Sequence, residues 1–465
     1  MINLTQIDFR STRSKPDRKV PAATPRAVGI AGSLLLVALL AASAPSAFGQ
    51  ALPAAEAAPI STGFAVPTTL GTLHYAISGS ESLSWGYYSN SGAASALNLS
   101  GDLGYISNSK LHPFSLVFAG GHSWNNTGNA SYSFASLGLS QVANIGRWDF
   151  TVSDNVNYLP STPATGLSGV PGVGDLGVNP VQVGVDSGQG VLTNYSDRVT
   201  NTAAGSVQRQ LTGRTSLNAS GSYYVLHFLD NSTSSGSTSG AGLDNNSVTG
   251  GVGISHQIDA RTSYGGNYGY SSFSYPDNNV GVTTSGFASQ TASLQAQHNF
   301  TRRFTVTAAA GPQWTTINSA GNNSSISLFA NVAANYAARL AHVSLSFTSG
   351  SNGGYGVGGG SKSTGLNFAV GRTFAEVWNC AATSAFTQSS SLAGLGGTPY
   401  SLHTFVEAGQ ISRAIVRSIS AYASYTLEDQ SSPGAAQTVD LFSGISQVVG
   451  FGITYSPSAI HLGRQ

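Results

Sequence analysis

Gly172-Val-Gly174-Asp-Leu-Gly177 spells GxGxxG, the spacing that lets a backbone approach a dinucleotide pyrophosphate. That chemistry needs a strand before the glycines and a helix after them. Here Pro171 and Pro180 flank the run inside a long Gly- and Pro-rich stretch, so it reads as loop and no cofactor is expected. Gly356–Ser363 ends in Ser-Lys-Ser, but Ser361 stands where a phosphate-binding loop requires glycine. Neither HExxH nor GxSxG occurs, and the lone Cys380 permits neither a paired-thiol metal site nor an internal disulfide. A hydrolase needs a nucleophile and a base side by side. With serine this abundant such neighbours arise by chance, so the chain is read as a non-enzyme.

What remains is a sparse set of charges. Asp102, Asp149, Arg198, His403 and Glu407 sit in alternating segments, on the parity read as water-facing. Charged rings in a narrow pore select by sign, which makes these five the lumen or constriction candidates. The plainer alternative for each is a solvated wall charge. Asp154 takes the opposite, lipid parity, which places it above a bilayer or beyond a bulge that resets the register. His256 and His298 fall on outward parities near short turns, where packing at an interface is expected.

The elements that would carry these residues are strands. From about Thr69 onward no helical period is visible, and apolar and polar residues alternate. Leu97, Leu99, Leu103 and Tyr105 oppose Asn98, Ser100 and Asp102; Ile326, Leu328, Val332 and Tyr336 oppose Ser325, Ser327 and Asn331, with Phe329 breaking the pattern. Eighteen such segments can be marked, the last ending at Val449, Phe451, Ile453 and Tyr455 on one parity. Connections after even-numbered segments are terse, such as Leu211-Thr212, Asp259-Ala260 and Thr301-Arg302. Most of those after odd-numbered segments are longer, such as Pro160–Thr193 and Asp230–Leu243. Aromatic residues cluster at both segment ends, with Trp148, Trp378, Tyr336, Tyr105 and Tyr455 at the short turns. Tyr88, Trp124, Tyr132, Tyr158, Tyr275 and Tyr425 fall at the long loops.

Composition agrees. Charged residues make up 8% of the 465, against about 25% in ordinary soluble domains, and glycine contributes 57. Six of the 20 Lys and Arg and two of the 19 Asp and Glu lie in the first 26 residues. The remainder therefore holds 14 basic and 17 acidic residues, net −3, and no basic patch suggests a nucleic-acid partner. Residues 1–49 have the basic, apolar, small-residue order of a secretory signal peptide with a long basic leader. Residues 50–68 read as an Ala/Pro-rich lead-in, 69–455 as the barrel and 456–465 as a C-terminal tail.

Signal peptide, even strand count, loop asymmetry and aromatic last strand together resemble the Gram-negative outer-membrane β-barrel class over roughly residues 69–455. The resemblance implies an all-β fold: a single transmembrane antiparallel barrel of about 18 strands, with short periplasmic turns and long extracellular loops. It implies the outer membrane as location, with outer-membrane lipid and the barrel-assembly machinery as partners. A barrel of that size leaves an aqueous bore, so a porin-like passive conduit for small polar solutes is the leading expectation. Export of surface polysaccharide and surface adhesion are the alternatives. Pro160–Thr193 is the expected constriction or lid, against a surface flap, and the last strand is expected to pair with about Thr72–Ser89.

Overall fold

The computed structural model describes residues 71–86, 93–109, 112–125, 131–159, 197–229, 244–276, 286–317, 324–353, 360–375, 377–392, 401–431 and 444–462. The expected signal peptide, the lead-in as far as residue 68, and the Pro160–Thr193 and Asp230–Leu243 loops lie outside the described residues.

Alternating side chains suit a pleated ribbon, and the alternating segments form strands. They are β1 (Gly71–Trp85), β2 (Ala93–Ser107), β3 (Phe114–Asn125), β4 (Tyr132–Ile145), β5 (Trp148–Leu159) and β6 (Arg198–Gln210). Next come β7 (Thr215–Phe228), β8 (Asn245–Gln257), β9 (Thr262–Ser274), β10 (Gly286–Asn299), β11 (Phe304–Ile317) and β12 (Ser324–Ala337). The chain continues through β13 (Ala341–Asn352), β14 (Ser361–Phe374), β15 (Trp378–Ser391), β16 (Ser401–Val416), β17 (Ile419–Ser431) and β18 (Gly444–Tyr455). A three-residue β19 (Ile460–Leu462) ends the described chain. Each of the first eighteen pairs antiparallel with its sequence neighbours, and β1 pairs with β18 from Ile77↔Tyr455 to Trp85↔Gln447. The ring closes where the alternation of the last strand indicated. Pairing the first strand with the last removes the open sheet edge that each would otherwise present to a membrane.

The residues beyond Tyr455 do not all trail away. Ile460–Leu462 pair with Gly71–Leu73, one residue out of step with the β1–β18 register. That single extra residue flips parity, so Ile460 and Leu462 stay exposed on the face that carries Ile453 and Tyr455. The shift keeps apolar side chains outward and extends the closing seam.

Following the register round the ring sorts the two faces. Ile77, Leu97, Val152, Leu294, Ile326 and Phe451 all point outward and are 50, 54, 62, 77, 72 and 57% exposed. Leaving one Leu-sized side chain in water forgoes about 1.5–3 kcal/mol, so a whole wall of them belongs in lipid. Short-turn ends carry outward Tyr75, Tyr105, Trp148, Tyr336, Trp378 and Tyr455; long-loop ends carry outward Trp85, Trp124, Tyr158 and Trp314. Tyr132 departs from its expected place in the outer girdle, because it opposes Ser123 on the inward face. Tyr275 departs too, being buried within the barrel mouth.

The inward face is built from hydroxyl and amide side chains in cross-strand pairs. Asn98 donates to Ser82 at 3.1 Å, Gln313 donates to Ser289 at 2.9 Å, and Ser216 and Ser255 lie 2.7 Å apart. The lining is not polar throughout. Near the long-loop ends Phe134, Leu226, Phe228, Phe287, Ile317 and Leu402 point inward and are buried.

Candidate functional site

Gly311-Pro312 lies in the middle of β11. Proline offers no N–H to a ladder, and the β10–β11 pairing is interrupted between Thr291↔Gln313 and Leu294↔Ala310. A Cβ at Gly311 would collide with the Ala292 carbonyl, so only glycine admits this approach. At the same height the neighbouring seam parts. The β12–β13 ladder stops at Ala330↔Ser349, although Phe329 still opposes Gly311 and β12 pairs with β11 up to Ser324.

Above that point β13 turns into the lumen. The Ser351 N–H donates to Gln313 Oε1 at 2.9 Å, and Ser351 Oγ lies 3.2 Å from Thr315 Oγ1. Both partners are inward residues of β11, so the tip of β13 lies inside the wall formed by β11 and β12. Its end is held further across. The Gly353 carbonyl accepts from Asn245 Nδ2 of β8 at 3.0 Å and from the Tyr275 hydroxyl at 2.9 Å, both in buried surroundings. At the start of the return arm the Gly360 carbonyl accepts from the N–H of Leu392, the residue after β15, and Leu392 packs with Tyr275, Phe287 and Ile317. Phe273 stacks on Phe287, ring centres 4.5 Å apart. An in-turned β13–β14 hairpin thus docks on the inner wall of β8–β11 and narrows the long-loop mouth.

The five charge candidates do not form a ring. Asp102, Asp149 and Arg198 face inward, on β2, β5 and β6. They lie at different heights: Arg198 opens β6 at the long-loop end, Asp102 is two-thirds along β2, and Asp149 is second in β5 at the short-turn end. Asp102 Oδ1 is buried and has no hydrogen-bond partner among the described residues. His403 and Glu407 point the other way. They share the parity of Phe405 and Ile411, which pair with outward Phe386 and Cys380, so both leave the lumen face. The reason is physical: at this end Leu402, on the opposite parity, is buried inside the barrel at 1% exposure, so apolar character no longer marks the lipid side.

Asp154 is outward and needs no bulge, for β5 runs in unbroken register with β4 and β6. Its carboxylate accepts from Asn201 Nδ2 at 2.8 Å, between Trp148 and Tyr158 of the same strand. Beside it a shallow outer depression of about 580 Å³ is lined by Val152, Ala203, Gly205, Gly221 and Tyr223. The histidines also find partners. Nδ1 of His256 lies 2.9 Å from Thr215 Oγ1 and that of His298 lies 3.0 Å from Thr262 Oγ1, each ring meeting an aromatic edge-on.

Charge is segregated by rim. Of the twelve Lys and Arg among the described residues, ten sit at the short-turn end: Arg147, Arg209, Arg214, Arg261, Arg302, Arg303, Arg339, Arg372, Arg413 and Arg417. Only Asp149 and Asp259 oppose them there among the described residues. Asp259 accepts from the Arg261 N–H at 2.6 Å, the Thr262 N–H at 2.8 Å and Thr262 Oγ1 at 3.2 Å. These bonds, that from Arg261 foremost, hold its pKa below the ordinary value. A cavity of about 260 Å³ opens at this rim, lined by Gln210, Arg214, Gln257, Arg261, Gln297 and Asn299 with neighbouring serines. No group of three His, Cys, Asp or Glu suited to a metal occurs among the described residues.

No family model matches the chain, and no curated protein does. Solved structures of similar outline include OpdK of Pseudomonas aeruginosa, with 10% identity, TM-score 0.41, and coverage of 84% of this chain and 99% of that one. OpdQ of the same organism has 10% identity, TM-score 0.39, and coverage of 83% and 98%. OccK2 (OpdF) has 11% identity, TM-score 0.40, and coverage of 83% and 97%. Closed register, apolar outer wall and paired aromatic girdles make the chain a closed 18-stranded antiparallel barrel with a lipid-facing outer wall.

Proposed function

We propose that the chain is a passive channel for small polar solutes in the outer membrane, with its short turns in the periplasm and its long loops outside. One observation carries this reading: eighteen strands enclose an inward face of Ser, Thr, Asn and Gln, and a bore of that circumference is too wide for wall side chains to fill. The in-turned β13–β14 hairpin supplies a constriction at the outer mouth. Asp102 and Asp149 add negative charge to the inner wall below it, and Arg198 adds a cation near the mouth. These three tune passage by sign. Residues 1–49 serve as a signal peptide removed on export, outer-membrane lipid surrounds the wall, and the barrel-assembly machinery inserts it. The chain carries out no chemistry of its own. Nothing among the described residues favours polysaccharide export or adhesion over passage.

Reconstitution of the refolded chain in planar bilayers tests the proposal. Discrete conductance steps are expected, with small neutral solutes swelling proteoliposomes. Proteoliposomes that neither conduct nor swell contradict it.

A further inference from the structure

Among the rim arginines on the outward parity, Arg209, Arg372 and Arg413, two stand over a tryptophan. Arg209 stands directly opposite Trp148 on the outward face of β5–β6, its guanidinium carbon 4.9 Å from the ring centre. Arg413 stands directly opposite Trp378 on β15–β16, at 5.2 Å. In each case the tryptophan is the first residue after a short turn and is stacked on a second ring, Phe150 at 6.0 Å or Phe374 at 6.1 Å. The two stations lie ten strands apart one way round the barrel and eight the other. Both arginines are exposed, at the height where the apolar wall gives way to the turns.

We infer that these are two seats for the phosphate headgroups of anionic phospholipids in the periplasmic leaflet. An indole held flat at the interface orients a guanidinium laterally and blocks its retreat into the lumen. The planar donor fork then meets phosphate oxygens while the aromatic pair covers the first acyl carbons. The partner is identified by sign and place. The rim carries ten arginines against two described carboxylates, and a lipid headgroup is the anion that meets a residue on the outer face. The leaflet assignment rests on the orientation proposed above; the binding does not depend on conduction.

The test uses full-length folded protein in detergent, titrated with phosphatidylglycerol or phosphatidylcholine and read by native mass spectrometry. Wild type is expected to retain up to two phosphatidylglycerol molecules in preference to phosphatidylcholine. Arg209→Gln and Arg413→Gln should each remove one, about a fivefold loss of affinity at each seat. The double variant should lose the preference, and Arg→Lys at either site should restore part of it. Arg302→Gln with Arg303→Gln, in a turn without a tryptophan, should leave retention unchanged. Heat-dependent gel mobility verifies folding of every variant. Equal retention of both lipids by wild type overturns the inference, as does a double variant that binds phosphatidylglycerol like wild type. Failure of conductance alone would touch the channel proposal and leave these seats standing.

Discussion

The Gly353 carbonyl is the residue-scale pivot of the narrowed mouth, because two buried donors converge on it. Leaving a buried acceptor short of a donor costs about 1–3 kcal/mol, enough to loosen the hairpin's hold on the wall. Tyr275→Phe and Asn245→Ala should therefore raise open-state conductance or flicker in single-channel recordings while leaving heat-dependent gel mobility intact. Unaltered recordings from the double variant would remove the hairpin from the conduction path. Asp154 and Asn201 make the opposite case. Their bond satisfies two polar groups on a lipid-facing wall, where apolar replacement of both partners avoids the desolvation altogether. Asp154→Val with Asn201→Val should leave the resistance of the barrel to urea unchanged or raise it, while Asp154→Val alone, which strips the Asn201 amide of its acceptor, should be less stable than the double variant by about 1–3 kcal/mol. Asp259 gives a pH-dependent term of known sign. Its pKa is depressed in the folded chain, so its contribution is present above the unfolded carboxylate value of about 3.9 and is lost as pH falls through the lower folded value. Asp259→Asn should flatten the acid limb of the unfolding midpoint below about pH 4.

At the scale of elements, the top of β13 is the part that breaks the cylinder. Continuing the β12–β13 register past Ala330↔Ser349 would set Ser327 opposite Asn352, but the tip has left the wall by then. Thr315→Cys with Ser351→Cys, whose hydroxyls lie 3.2 Å apart, should cross-link spontaneously in a Cys380→Ser background. Ser327→Cys with Asn352→Cys should not. The reverse result would mean that β13 zips to β12 and the mouth is open. Eighteen strands and their closing pair were legible because lipid sorts side chains by parity along nearly every ribbon. The inward turn was not read, although Gly311-Pro312 inside an otherwise regular strand, and Phe329 out of phase beside it, were its traces. Both residues could pass for local irregularities, since pairing with β10 and β13 is invisible in one chain read linearly. His403 and Glu407 were misplaced for a related reason. Leu402, Val406 and Ala408 alternate with Phe405 and Ile411, and only the register decides which apolar set meets lipid.

For the whole molecule, the two faces and the two rims set what it can do. A cation forced into the lipid face is expensive, about 2–4 kcal/mol near the midplane, whereas the same cation in the bore changes selectivity. Val152→Arg should thus lower urea resistance by about that amount, while inward Gln208→Arg should fold normally and shift reversal potential toward anions. The sparse charge of the wall and the arginine-rich short-turn rim then belong to one design, in which outward charge is rare, Asp154 and Glu407 being mid-strand exceptions, and arginine is concentrated at one interface. The most direct measurement on the whole molecule is single-channel recording of the full-length chain in a planar bilayer. Discrete, long-lived conductance steps are expected from an 18-stranded bore with a hydroxyl- and amide-lined wall. A correctly folded, inserted barrel that stays electrically silent, even with the Gly353 carbonyl released from Tyr275 and Asn245, would contradict the channel.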